Sequence, residues 1–199
     1  MVNTGMTRDT VQARKAMIDS QLRTSGVNEE FVLVRMMAVP REDYLPKSKT
    51  GLAYIDRSVA LGDKGSLASP VFYGKLLLEA APMPHDRVLL VQSGTEYLAE
   101  LVRPMVNGVT VVSAADAAAG SLPEGTFTLI LIDGAIEQLP ESFASSLEEN
   151  GRIVGGLLLR KVTRIAVGRK IGNHLPFEPV EDIGIPVLAE FHQEKSWTF

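Results

Sequence analysis

Residues 86–97 read Asp-Arg-Val-Leu-Leu-Val-Gln-Ser-Gly-Thr-Glu-Tyr. An apolar, β-branched run over residues 87–91 is followed by Ser-Gly-Thr and then by a helical pattern over residues 96–105, which predicts a strand, a tight turn and a helix. In a doubly wound α/β fold such a turn is the nucleotide site, because backbone N–H groups at the helix N-terminus point at the ligand. The turn offers one glycine, Gly94, so taken alone it is more typical of an ordinary strand-to-helix connection.

Downstream of this stretch the sequence predicts a mostly parallel sheet. Short apolar runs alternate with helical patterns, and this alternation is typical of βαβ crossovers. The predicted strands cover residues 109–112, 126–132 and 152–158, with a helix over residues 139–147 before the last of them. Two further strands, 162–171 and 177–188, flank a Gly172-Asn173 turn and predict an antiparallel pair at the sheet edge.

Upstream, the pattern predicts an N-terminal helical cap. Helices are expected over residues 10–24, ending at Gly26, and from an N-cap at Asn28 to about residue 38. Pro70 is expected to open a third helix that runs to about residue 81, since proline is tolerated at the first helical position. We expect one domain over residues 1–199, with helices and a substrate loop in 10–81 and a Rossmann-like core in 86–199.

Composition excludes several classes of protein. A formal net charge of -4 and a pI near 5.5 argue against a nucleic-acid partner, because no basic surplus exists to neutralise phosphates. The chain has no cysteine, and its three histidines are scattered without ligand spacing, so no metal site is expected. No apolar run approaches the ~20 residues that span a bilayer. We therefore expect a cytoplasmic protein without a membrane partner.

A series of short motifs resembles the protein-L-isoaspartate O-methyltransferase family over about residues 10–160. The motifs, in family order, are Met17-Ile-Asp-Ser-Gln-Leu22, Met37-Ala-Val-Pro-Arg-Glu42, Ala53-Tyr-Ile-Asp56, Leu61-Gly62, Ser69-Pro70, Asp86-Arg-Val-Leu89, Leu139-Pro-Glu141 and Gly151-Arg152. The resemblance implies an α/β class I methyltransferase sandwich with S-adenosylmethionine as its cofactor. It also implies methylation of isoaspartyl carboxylates in damaged proteins, and hence protein repair.

The resemblance places the cofactor turn on residues 90–97. Gly94 and Tyr97 match the family's glycine-rich pattern, whereas Leu90 stands at its strand-end acid, and Gln92 and Glu96 stand at two of its glycines. A carboxylate at position 96 beside the cofactor's own carboxylate would repel it by roughly 1 kcal/mol at 4 Å in water. The other interpretation, which we favour, is that Glu96 points to solvent. Replacing both Gln92 and Glu96 by glycine is expected to raise cofactor affinity if these residues are the obstacle.

Two more positions are candidates for cofactor binding. The family's ribose-binding acid at the end of the second strand falls on Ser113, or less well on Ala114, and Asp116 could substitute only if the loop curls back. Asp133 follows the third strand. Because ligands bind at the carboxyl ends of such strands, it is a candidate in its own right and is not inherited from the family motif.

The substrate element is expected at residues 66–70. The family hydroxyl that touches the isoaspartyl group falls on Ala68, while Ser66 keeps the other hydroxyl of the pattern. Asp56 either caps its loop or shapes the substrate pocket. We take Ser66 and Asp56 as the candidate catalytic residues. The reaction needs no strong base, since the attacking carboxylate is already ionised at neutral pH.

Two functions follow from these residues. One is an S-adenosylmethionine-dependent enzyme that acts on isoaspartyl proteins or peptides. The alternative is a catalytically inactive methyltransferase-fold protein, a pseudoenzyme that serves as a binding or regulatory partner. A third and weaker hypothesis is a domain that binds another small ligand near Asp133.

Overall fold

The computed structural model describes the backbone of residues 4–192 and the side chains of residues 9–192. The helices are α1 (Thr4–Met17), α2 (Glu30–Ala38), α3 (Pro70–Ala80), α4 (Tyr97–Val102), α5 (Ala114–Ala118) and α6 (Ser142–Ser146). The strands are β1 (Val59–Ala60), β2 (Ser66–Leu67), β3 (Arg87–Gln92), β4 (Gly108–Ser113), β5 (Phe127–Ile136), β6 (Leu147–Leu159), β7 (Val162–Arg169) and β8 (Glu178–Asp182). Shorter 3₁₀ turns connect them, and β1 and β2 form a small antiparallel pair of their own.

The main sheet has the strand order β4-β3-β5-β6-β7-β8. The first four strands of this order run parallel, whereas β7 pairs antiparallel with β6 and β8 pairs antiparallel with β7. This arrangement confirms the predicted fold class, a mostly parallel sheet with an antiparallel C-terminal edge. No helix in the described part of the chain is long and apolar enough to cross a membrane.

Helices cover both faces of the sheet, so the sheet is doubly wound as predicted. Along β3, Val88 and Leu90 point into a core shared with α3, α4 and the N-terminal helices. Leu89 and Val91 point the opposite way, into a second core with α5 and α6. Alternation of this kind follows from the two-residue period of a strand, and a strand buried on both faces must be apolar throughout.

The N-terminal helical cap is also confirmed, with one correction. Helix α1 continues through a π-helical turn (Ile18–Leu22) and a 3₁₀ turn (Arg23–Ser25), and it ends at the left-handed Gly26 (φ 81°). Asn28 is not the N-cap of α2. That position is Glu29, whose carboxylate instead accepts the Asn28 N–H at 3.2 Å. The acidic side chains near the start of α2 interact favourably with the helix dipole, although no side chain caps the helix.

Helix α3 begins as predicted, while α6 is shorter than predicted. Ser69 caps α3 by accepting the Phe72 N–H at 3.2 Å, and Pro70 occupies the first turn. The helix expected over residues 139–147 is reduced to α6, because Leu147 already pairs with Phe127 as the start of β6. Sheet pairing therefore overrides the local helical pattern at that end.

Candidate functional site

A cavity of about 380 Å³ opens at the carboxyl ends of β3 and β4. Three walls surround it. The first is the loop of residues 62–66, the second is formed by the two strand ends (residues 92–94 and 113–115), and the third is a C-terminal segment of residues 186–190. Cavities of a few hundred Å³ at this edge of a doubly wound sheet are the usual place for a small ligand.

The turn after β3 is locked to the loop of residues 62–66. Ser66 donates its N–H to the Ser93 carbonyl at 3.2 Å, and the Ser93 hydroxyl donates to the Ser66 carbonyl at 3.2 Å. Gly94 has a left-handed φ of 114°, and an added methyl group there would overlap the Lys64 carbonyl oxygen. Gly94 and Ser66, both predicted site residues, are thus brought together in the cavity wall.

Tyr97 and Glu96 both point away from the cavity. The Tyr97 ring is fully buried, with its hydroxyl 3.7 Å from the Met36 sulfur and its centroid 5.0 Å from that of Tyr73. The Glu96 carboxylate lies in solvent and forms an ion pair with Arg103 at 2.9 Å. The favoured interpretation of Glu96 is confirmed, since its carboxylate points to solvent and to Arg103 and does not line the cavity.

Ser113 lines the cavity at the end of β4, where it begins helix α5. Its hydroxyl accepts the Asp116 N–H at 3.1 Å and lies 2.6 Å from the Asp116 carboxylate. This local cap holds Asp116 within α5 and outside the cavity lining, so Asp116 does not curl back as a substitute acid. Leu90 is completely buried in the core.

Asp133 is buried beneath this edge of the sheet and does not line the cavity. The β5–β6 register shifts between Leu131 and Ala135, which interrupts the regular alternation of side chains around Asp133. Within the described residues, neither Asp133 carboxyl oxygen has a hydrogen-bond partner of ordinary geometry. Burial raises the pKa of this carboxyl to about 7, against the opposing effects of the nearby Tyr73 and Ser93 hydroxyls and the Arg41 charge.

Arg41 organises the segment that leads into the cavity. It is completely buried, and it donates to the Ala53 and Ala68 carbonyls, each at 2.7 Å. Its guanidinium also lies over the Tyr73 and Tyr97 rings, 5.5 and 5.0 Å from their centroids. The sequence shows Arg41 within the Val-Pro-Arg-Glu motif, but its two carbonyl partners become visible only in three dimensions.

The C-terminal wall was missed by the sequence pattern, which predicted a strand as far as residue 188. Strand β8 ends at Asp182, and the chain then pairs with the end of β5, where Ala135 donates to the Pro186 carbonyl and Leu188 donates to the Ala135 carbonyl, both at 2.8 Å. Leu188 packs over Gly134, where an added Cβ would lie 2.7 Å from its Cγ. Pro186, which cannot donate a backbone hydrogen bond, was the sequence signal against a strand over this segment.

A second cavity of about 380 Å³ adjoins the first at Pro186, which lines both. Asp56, Arg57 and Ser69 line this second cavity, so the two candidate catalytic residues lie on different sides, with Ser66 in the first cavity and Asp56 in the second. Ala68, which takes the place of the family hydroxyl, is buried.

Comparison with known proteins points to one family. The family model "Protein-L-isoaspartate(D-aspartate) O-methyltransferase (PCMT)" matches residues 12–119. A protein-L-isoaspartate O-methyltransferase of Methylorubrum extorquens is 29% identical over 78% of this chain and 81% of its own length. Another, from Roseiflexus castenholzii, is 27% identical over 96% of each chain.

A solved structure shares the fold. It is described as a protein-L-isoaspartate O-methyltransferase from Plasmodium falciparum in complex with S-adenosyl-L-homocysteine. It superposes with a TM-score of 0.71 at 16% identity, covering 91% of this chain and 98% of that one. Since the family model spans more than half of the sequence, the chain belongs to the protein-L-isoaspartate(D-aspartate) O-methyltransferase family.

Proposed function

We propose that this protein binds S-adenosylmethionine in the cavity at the ends of β3 and β4 and methylates isoaspartyl carboxylates in proteins or peptides. One observation carries the proposal: a chain of this family keeps an open cavity of about 380 Å³ at the nucleotide position of its fold. The proposal extends to a role in protein repair, which the family resemblance implies, and to the cytoplasmic location expected from the sequence.

The residues that line the cavity fit this cofactor in chemistry. The Asp63 carboxylate, on the loop beside the β3 turn, suits an ammonium group, and the Ser66 and Ser113 positions add polar groups. Leu188 and Val187 supply apolar surface of the kind that covers an aromatic base. Glu96, the charge that would oppose a bound carboxylate, is turned away to Arg103.

Methyl transfer to a carboxylate needs no strong general acid or base from the protein. The cofactor supplies an electrophilic methyl group on a sulfonium, and an acceptor carboxylate is ionised at neutral pH. The chain therefore contributes positioning and exclusion of water, which supply much of the rate in reactions of this type. The locked contact between the turn at Gly94 and the loop at Ser66 provides a rigid wall for that purpose.

The second cavity supports an anionic acceptor. Arg57 lines it, and within the described residues no carboxylate forms an ion pair with this guanidinium. A cation beside a groove draws in an acidic ligand by charge complementarity. Because Pro186 lies between the two cavities, an acceptor held at Arg57 would lie next to the cofactor cavity.

Two experiments test the proposal: calorimetric titration with S-adenosylhomocysteine, and incubation of the protein and an isoaspartyl peptide with S-adenosylmethionine that carries a labelled methyl group. We expect saturable binding and labelling of an isoaspartyl peptide, with no labelling of the same peptide that carries normal aspartate. Binding without transfer would leave the binding or regulatory alternative in place of the enzyme. Absence of binding at millimolar ligand would refute the proposed function altogether.

A further inference from the structure

We infer that Glu190, on the C-terminal wall, binds the ribose hydroxyls of the cofactor in place of the missing acid at the end of β4. This inference rests on the proposed function and names a binding residue within the same cavity. It is carried by the position of Glu190 in the cavity lining and by the way the surrounding segment is anchored.

The two adjacent hydroxyls of a ribose are best bound by one group that accepts a hydrogen bond from each of them. A carboxylate suits this because it has two acceptor oxygens and no donor, and an acid at the end of the second strand has this role in doubly wound nucleotide sites. Here that position is Ser113, whose hydroxyl is already engaged with Asp116 in the cap of α5. The cavity therefore lacks the acid on the strand side.

Two acids line the cavity from other elements, Asp63 and Glu190. Asp63 belongs to the loop that is locked to the turn at Ser93 and Gly94, which is the β3 end of the cavity. Glu190 belongs to the 3₁₀ turn Ala189–Phe191, which packs against α5 and so lies at the β4 end. Of these two acids, Glu190 is therefore the one at the β4 end of the cavity, where the acid is missing.

The segment that carries Glu190 is held from both sides. Before it, Leu188 donates to Ala135 at 2.8 Å and packs over Gly134. After it, Phe191 is buried and its ring lies 6.5 Å from that of Phe143. Within residues 9–192, no hydrogen bond or ion pair occupies the Glu190 carboxylate, so it is available to accept from a ligand.

Calorimetry on the full chain with Glu190→Gln provides the test, with two probes: S-adenosylhomocysteine and its 2′-deoxyribose analogue. We expect the wild type to bind the deoxy analogue at least about 10-fold more weakly than S-adenosylhomocysteine, because one hydrogen bond to a charged group is lost. Glu190→Gln is expected to weaken S-adenosylhomocysteine by a similar factor and to bind the two probes almost equally. The loss of discrimination between probes is an effect that a purely structural role would not produce.

Asp116→Asn is the matched control, since Asp116 is the neighbouring acid outside the cavity. It should keep the discrimination between the two probes. If Asp116→Asn removes the discrimination, or if Glu190→Gln retains it, the assignment of Glu190 is wrong while the proposed function stands. A wild type that binds neither probe would overturn the proposed function together with this inference.

Discussion

Gly94 joins two of the three cavity walls, because without a side chain it lets the Lys64 carbonyl lie directly against the turn. Gly94→Ala would add both left-handed strain at φ 114° and a backbone overlap that no rotamer can relieve. We expect a loss of about 3 kcal/mol or more in unfolding free energy and loss of S-adenosylhomocysteine binding. Chemical denaturation and calorimetry measure the two effects.

Gly125 offers a matched comparison for this substitution. Its φ is 113°, nearly that of Gly94, but no atom lies within 4 Å of an added Cβ. Gly125→Ala should therefore cost only the backbone strain, about 1–2 kcal/mol, and leave ligand binding intact. Equal losses in the two variants would show that the contact with Lys64 has no energetic weight.

The raised pKa of the buried Asp133 carboxyl should make the protein less stable as pH rises. Its pKa of about 7 in the folded chain lies above the ordinary unfolded value near 3.9, so the unfolded state releases this proton first as pH rises. The stability that protonated Asp133 contributes is complete below about pH 4 and is lost as pH rises through 7. The full cost of ionising the buried group is of order 4 kcal/mol.

Asp133→Asn removes this titration. Relative to the wild type, the variant should gain about 2–3 kcal/mol more in unfolding free energy at pH 8 than at pH 5. The comparison of the two pH values cancels any fixed effect of the amide on packing. Urea denaturation of both proteins at each pH measures this difference, and a difference independent of pH would contradict a raised pKa of the buried Asp133 carboxyl.

At the opposite end of the sheet, Asp86 and Arg152 tie three elements together. The Asp86 carboxylate is fully buried and lies 2.6 Å from an Arg152 nitrogen, and Arg152 also donates to the Ala80 and Ala81 carbonyls that end α3. Burial pushes the pKa of the Asp86 carboxyl up, but hydrogen bonds from Arg152 and Thr128 outweigh it and hold the pKa below its ordinary value. The pair thus stabilises the fold above the unfolded pKa, and this stability is lost at lower pH.

Asp86→Asn should lower the unfolding free energy by about 3 kcal/mol at neutral pH, because it leaves a largely buried guanidinium without its counter-charge. The control is Asp182→Asn, which breaks the ion pair with Arg164 on the exposed strand β8. That change should cost at most about 1 kcal/mol, as surface pairs do. Chemical denaturation measures both losses, and equal losses of unfolding free energy in the two variants would contradict the role given to Asp86.

Periodicity and turn chemistry predicted most of the elements, because apolar strands buried on two faces and a helix opened by Pro70 leave strong local signals. The limits of β6 and α6 escaped prediction, since Leu147 pairs across the sheet with a residue twenty positions away. The C-terminal wall escaped for the same reason: only its pairing with Ala135 places it beside the cavity.

The candidate site was predicted in part. Gly94 and Ser113, predicted as cofactor residues, line the first cavity. Ser66, predicted as a catalytic residue, lines the same cavity, whereas Asp56 lines the second one. Tyr97 and Asp133 do not line the first cavity, because both side chains are buried in the interior, Tyr97 on α4 and Asp133 at the register shift between β5 and β6. The direction of these side chains depends on tertiary packing and strand register, which a sequence motif does not specify.

Taken as a whole, the molecule is a methyltransferase-family fold in which three separate stretches of chain close one cavity: the loop before α3, the two strand ends and the segment after β8. These stretches are far apart in sequence. The loop before α3 is hydrogen-bonded to the turn at Ser93, and the segment after β8 is hydrogen-bonded to Ala135 of β5. The proposed ligand site therefore depends on the complete fold and not on the turn after β3 alone.

A crystal structure of the full chain grown with S-adenosylhomocysteine tests this account most directly. We predict density for the ligand between the loop of residues 62–66 and the turn Ala189–Phe191, with the ribose beside Glu190. An empty cavity at saturating ligand, or a ligand bound elsewhere on the molecule, would contradict the account.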